Sequence, residues 1–178
     1  MSKWFTPFVM LDIEMLTKNV LKPCVVEVGI CVRDVFGAFS THNAAVKPDL
    51  EKIDMDTLNW WSKQQYFAKL IEECTTAESS VQEVMQAWRA FHKPANLPVD
   101  VTWWAQGPQF DMIAMQATPE FGAPWMYNKV RDLRTASNVF GNPELPFKND
   151  CAHNAGADAE YQARKLAWLE QHHGLVIQ

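Results

Sequence analysis

The chain has 178 residues, 48% of them apolar, which suits a single domain spanning 1–178 with one substantial core. Its formal charge of −5 excludes a protein that coats nucleic acid with a basic surface, because non-specific backbone affinity comes from Lys and Arg meeting phosphates. A carboxylate-rich metal centre is compatible with that balance, since bound cations cancel part of the negative charge.

Phe5 to Leu11 is apolar but short, contains Pro7 and runs directly into Asp12 and Glu14, so no signal-peptide pattern is read there. No run approaches the roughly 18 apolar residues of a membrane span. A cytoplasmic protein is expected, bacterial or phage-encoded in the host. Phe8 to Ile13, Cys24 to Val32 and the segment around Gly37 to His42 read as strands of a meander, the second most strongly for its β-branched content. Cys24, Cys31, Cys74 and Cys151 form no CxxC pair, so they are expected as reduced thiols, mostly buried.

Asp56 to Trp61 begins a helical region. A second helix starts behind Ser80, with Glu83 three residues on and Val81, Val84, Met85, Trp88 and Phe91 at helical spacing. Asn96-Leu97-Pro98 breaks the chain. Val99 to Ala105 reads as a strand, and Gly107-Pro108 leads into a helix starting near Phe110-Asp111. A loop-rich stretch carrying Pro119, Pro124, Gly141, Pro143 and Pro146 precedes a last helix from about Ala155 to His172, whose His172 and His173 favour its dipole. Strands first, then alternating strand and helix, imply an α/β fold with a mixed sheet flanked by helices on both faces.

Three segments carry the chemistry. Asp12 and Glu14 are two apart on a strand, so the pleat sends both to one face, where a cation is needed to offset their repulsion. Asp111 falls in the first turn of a helix that follows a strand, at the open end of the sheet where α/β ligands bind. His153 and Asp158 are five apart, about 140° of helical rotation, so His153 belongs just before the last helix and Asp158 in its first turn. Ala155, Gly156 and Ala157 between them are small enough to let metals and a phosphate backbone approach.

In this order and at these junctions the segments resemble the DEDDh class of 3'-5' exonucleases, DnaQ-like members of the ribonuclease H-like superfamily. Asp12 and Glu14 match the first motif, Asp111 the second, His153 and Asp158 the third. The compact length, Trp60-Trp61 and Arg131 to Thr135 are similar to the small branch that contains ribonuclease AS and the phage exonuclease DexA. Gln106-Gly107-Pro108-Gln109 departs from it, since many relatives carry Asn or His there.

The resemblance implies a ribonuclease H-like fold and a metal-dependent 3'-5' exonuclease that releases 5'-mononucleotides from single-stranded nucleic acid, RNA slightly favoured. It implies two Mg²⁺ or Mn²⁺ held by Asp12, Glu14, Asp111 and Asp158, with His153 as general base. Leu16, Met15 and Arg134 are the expected substrate contacts, Leu16 as a wedge against the terminal base. Lys129, Arg131 and Arg164 are further cations near enough in character to meet phosphates, while Trp60, Trp61, Trp103 and Trp104 are read as packing residues. The branch also suggests a homodimer. The alternatives are a DNA-directed enzyme of the same mechanism and a catalytically silent nucleic-acid-binding module.

Overall fold

The structure, a computed structural model, describes residues 5–92, 97, 101–118 and 121–177. The side chain of Phe91, the break at Asn96 and Pro98, residues 99 and 100 of the expected fourth strand, and Pro119 lie outside the described residues.

Five strands form one mixed sheet in the order β3-β2-β1-β4-β5. The meander comprises β1 (Phe8–Met15), β2 (Val25–Arg33) and β3 (Phe39–Ala45), paired antiparallel. The strands β4 (Thr102–Ala105) and β5 (Val130–Asp132) run parallel to β1, which places the C-terminal ends of β1, β4 and β5 together.

Helices cover both faces, as expected. Alternate residues of β1 divide between them: Val9, Leu11 and Ile13 pack with Val84, Met85 and Trp88 of α3 (Val81–His92) and with Met112 and Met115 of α4 (Pro108–Ala117). Phe8 and Met10 face the other way, onto Ala159, Ala163, Leu166 and Leu169 of α6 (Ala155–His173). Burial of such side chains contributes about 1.5–3 kcal/mol each, so this two-sided sandwich fixes β1 between the layers. The Ser80 cap is formed: the Ser80 amide donates to Glu83 Oε2 at 2.7 Å and the Glu83 amide to Ser80 Oγ at 3.3 Å.

Two regions differ from the sequence reading. Between α1 (Met55–Trp61) and α3 lies a further helix, α2 (Phe67–Thr76), which seats Leu70 and Cys74 against Leu16, Cys24, Val26 and Trp61. Its N-cap residue Tyr66 makes no side-chain capping bond, so no start signal marks it. The stretch read as loop contains β5 and α5 (Leu133–Val139), the latter capped by Asp132, which accepts from the Arg134 amide at 2.9 Å. Three- and seven-residue elements are too short to show a period. Cys24, Cys31 and Cys74 are buried, Cys151 is exposed, and all four are free thiols.

The start of α6 touches the sheet directly. A Cβ on Gly29, the β2 partner of Asp12, would stand 2.0 Å from the carbonyl carbon and oxygen of Ala155. Only a glycine admits that approach. On the next peptide, Gly156 packs against Asn43 of β3, whose Oδ1 accepts its amide at 2.9 Å.

Candidate active site

Past Phe8 and Met10, the same face of β1 carries Asp12 and Glu14 where the N-terminus of α6 arrives. Asn154 caps that helix, its Oδ1 accepting from the Ala157 amide at 2.9 Å, and Asp158 lies in the first turn. His153 precedes the cap with a φ of 68°, and its amide donates to Asp158 Oδ2 at 2.8 Å. The other oxygen of Asp158 accepts from Asn149 Nδ2. Asp111 enters from the opposite layer. Gly107, at a φ of 117°, turns the chain into Pro108, and one turn on Asp111 Oδ1 accepts from the Ile13 amide at 3.3 Å.

All five expected residues therefore converge at the end of β1. Glu14, His153 and Asp158 each offer a ligand atom, mutually within 4.8 Å. Burial pushes Asp12 well above the usual carboxylate range, reinforced by the charges of Asp111, Glu14 and Asp158. Glu14 is likewise raised, by burial and then by Asp158, Glu27 and Asp111. Asp111 is pushed up to about 7 by burial, against the hydrogen bond from Ile13 and the charge of Arg134, and Asp158 is also raised by burial. Four crowded carboxylates with raised affinity for protons form a hard-oxygen donor set that suits Mg²⁺ or Mn²⁺, whose charge would remove the repulsion.

Beside the carboxylates opens a cleft of about 430 Å³, walled by Glu14, Met15, Lys18, Trp60 and Phe110. Here two expectations are corrected. Trp60, read as a packing residue, is 46% exposed, and its ring stands edge-on to the His153 ring at 5.1 Å. Leu16, read as a wedge, is 2% exposed and packs in the cluster of Trp61 and Leu70. Leu16 follows the end of β1, just after a register shift between Glu14 and Met15. Trp61, Trp103 and Trp104 are buried as expected, Trp61 donating to the Met15 carbonyl at 2.9 Å and meeting His153 at 5.6 Å.

The cations have structural partners. Arg134 Nη2 donates to the Gln106 carbonyl at 3.0 Å, holding the loop that departs from the usual pattern, and Arg131 donates to the carbonyls of Asn128 and Val130. Arg164 pairs with Glu160 at 2.7 Å and lies over Phe39. Sequence reading missed Gln162, whose Nε2 donates to Asp12 Oδ1 at 2.6 Å while its own buried Oε1 has no partner. Its place four residues after Asp158 was the available signal, because that spacing keeps one helix face. Among the described residues no helix is long and apolar enough to cross a membrane.

The family model for the 3'-5' exoribonuclease Rv2179c-like domain matches residues 7–169. Among solved structures, cell-death related nuclease 4 (CRN-4) superposes with a TM-score of 0.63 at 15% identity, covering 94% of this chain and 64% of that one. A full-length 3'-exonuclease superposes with a TM-score of 0.64 at 13% identity, covering 96% of this chain and 62% of that one. The chain thus spans somewhat under two thirds of each, and the likeness is one of fold. No curated protein matches the sequence.

Proposed function

The chain belongs to the Rv2179c-like family of 3'-5' exoribonuclease domains, and from that premise we propose that it hydrolyses single-stranded nucleic acid from the 3' end, RNA ahead of DNA, releasing 5'-mononucleotides. The convergence of Asp12, Glu14, Asp111 and Asp158 with His153 beside an open aromatic cleft carries this reading.

Asp12, Glu14, Asp111 and Asp158 would hold two Mg²⁺ or Mn²⁺ ions. When bound, such ions make water a usable nucleophile near neutral pH and stabilise the leaving 3' oxygen. His153 accepts the proton of the attacking water, a task suited to an imidazole. Asp158, bonded to the His153 amide, ties this base to the ligand set. Trp60 and Phe110, 46% and 40% exposed, would flank the terminal base, with Met15 lining the same cleft and Arg134 bonded to the loop before α4. The RNA preference follows the family's description as exoribonucleases.

The test is a time course with 5'-labelled single- and double-stranded RNA and DNA in Mg²⁺, Mn²⁺ or EDTA. A ladder shortening from the 3' end, faster on single-stranded RNA and absent in EDTA, is expected. Cutting of a closed circular single strand would show an endonuclease, and equal rates on DNA would remove the RNA preference.

A further inference from the structure

Glu27 is the third residue of β2, with no exposed surface, directly across from Glu14. Among the described residues no Lys, Arg or His forms an ion pair with it. A carboxylate buried without a cation needs strong hydrogen-bond donors. Glu27 has them on both oxygens: Oε1 accepts from Asn43 Nδ2 at 2.7 Å and Asn154 Nδ2 at 2.8 Å and lies 3.1 Å from the Tyr66 hydroxyl, while Oε2 accepts from the Ala155 amide at 2.9 Å. Both oxygens are thus engaged by groups of the protein itself, Oε1 by three of them.

These donors lead to one place. Ala155 is the first residue of α6, so its amide is one of the groups a helix start leaves unbonded, and the positive end of the helix favours the acid. Asn154 is the cap of the same helix. Its Nδ2 serves Glu27 and the Tyr66 oxygen, at 2.8 Å each, and its Oδ1 serves Ala157, so its amide is committed on both sides. The preceding residue, His153, is held in the left-handed region, which a residue with a Cβ adopts only where its surroundings compel it.

We propose that Glu27 is a positioning residue for the site: by gripping Asn154 and the first peptide of α6, with Tyr66 and Asn43 completing its shell, it holds His153 and Asp158 in their working geometry. The proposal deepens the exonuclease reading and rests on it for the roles of those two residues. Glu27 needs to be a carboxylate because the Asn43, Asn154 and Ala155 amides all donate to it, while the single Tyr66 proton is shared between Glu27 and Glu73 Oε2, 2.9 Å away. Glutamine in its place would turn an NH₂ toward either the Ala155 amide or the Asn43 and Asn154 amides.

The experiment compares wild type and Glu27→Gln in steady-state kinetics on 5'-labelled single-stranded RNA with Mg²⁺, alone and combined with His153→Ala, and follows amide hydrogen exchange by NMR. Expected are a kcat lower by about 10- to 100-fold with KM within about twofold, and a much smaller further loss when His153 is already gone. Exchange should speed up by about tenfold at His153, Ala155 and Asp158, with Val28 and Ile30 unchanged. Tyr66→Phe, which keeps the ring and removes the hydroxyl, should shift both readouts in the same direction by less, and it serves if Glu27→Gln does not fold.

Wild-type kcat and wild-type exchange in both variants would overturn the proposal. So would exchange raised throughout the sheet, or losses that multiply fully with His153→Ala, which mark a general structural role. An inactive wild-type protein that still shows the local exchange change would retire the exonuclease reading and leave the positioning role standing.

Discussion

Without metal, Asp111→Asn should be more stable than the native chain, by an amount that depends on pH. Asp111 is 6% exposed, and burial lifts its carboxyl from 3.8 to about 7. In the unfolded chain such a group titrates near its ordinary value, about 3.9. A pKa raised on folding means that the contribution of this carboxyl is fully present below about pH 4, where both states are protonated. It is lost as pH rises through about 7. Across that window the native chain loses about 1.4 kcal/mol per pH unit through this group, levelling at about 4 kcal/mol above neutrality. Asparagine keeps the shape and an oxygen for the Ile13 amide but carries no charge, so it escapes the loss. Urea unfolding in EDTA from pH 5 to pH 8 reads the difference. With a slope of about 2 kcal/mol/M, the midpoints should separate by about 2 M at pH 8 and by less than about 1 M at pH 5. A gap that does not change with pH, or none at pH 8, would refute the reasoning.

Three further outcomes are expected. Asp12→Ala or Asp158→Ala should abolish cleavage while circular dichroism shows the native fold, since neither opens a core cavity; near wild-type turnover in either would defeat the two-metal reading. His153→Ala should lower kcat by about 10²- to 10⁴-fold with Mn²⁺ affinity by calorimetry largely unchanged. Weakened Mn²⁺ binding with kcat preserved at saturating metal would instead make His153 a ligand. Trp60→Ala and Phe110→Ala should each raise KM by about 5- to 100-fold, the scale of one lost base-stacking contact, with kcat little altered.

How legible the site was depended on how local its cause is. Asp12 and Glu14 share a face because a strand repeats every two residues, and Asp111 follows a Gly107-Pro108 helix start; both can be read from a few adjacent letters. What adjacent letters cannot show is which side of an element meets the rest of the chain. Trp60 and Trp61 are neighbours about 100° apart on one helix, and only the packing of α1 decides that the first faces the cleft and the second the core. Leu16 was placed at the cleft by the resemblance alone, and its burial depends on Trp61 and Leu70, which α1 and α2 bring from far along the chain. Helix α2 does carry apolar residues at helical spacing, Phe67, Leu70, Ile71 and Cys74, but it follows α1 closely and lacks a capping side chain to announce it. Glu27 was hidden in a strand buried along its whole length, its partners lying 16 to 128 residues away.

At Gly29 main chain meets main chain, and no side chain stands between to give way. Elsewhere in the core a larger residue can be absorbed by neighbours changing rotamer. Here relief is available only by displacing the end of a 19-residue rod. A methyl group at position 29 would act as a wedge under that end, with Leu166 and Leu169 farther along as the fulcrum. Asp158, one turn in, would swing away from Asp12 while the anchored portion stayed seated. Tolerance of the fold and tolerance of the site part company at this position: the chain would keep its architecture and lose the alignment of its carboxylates.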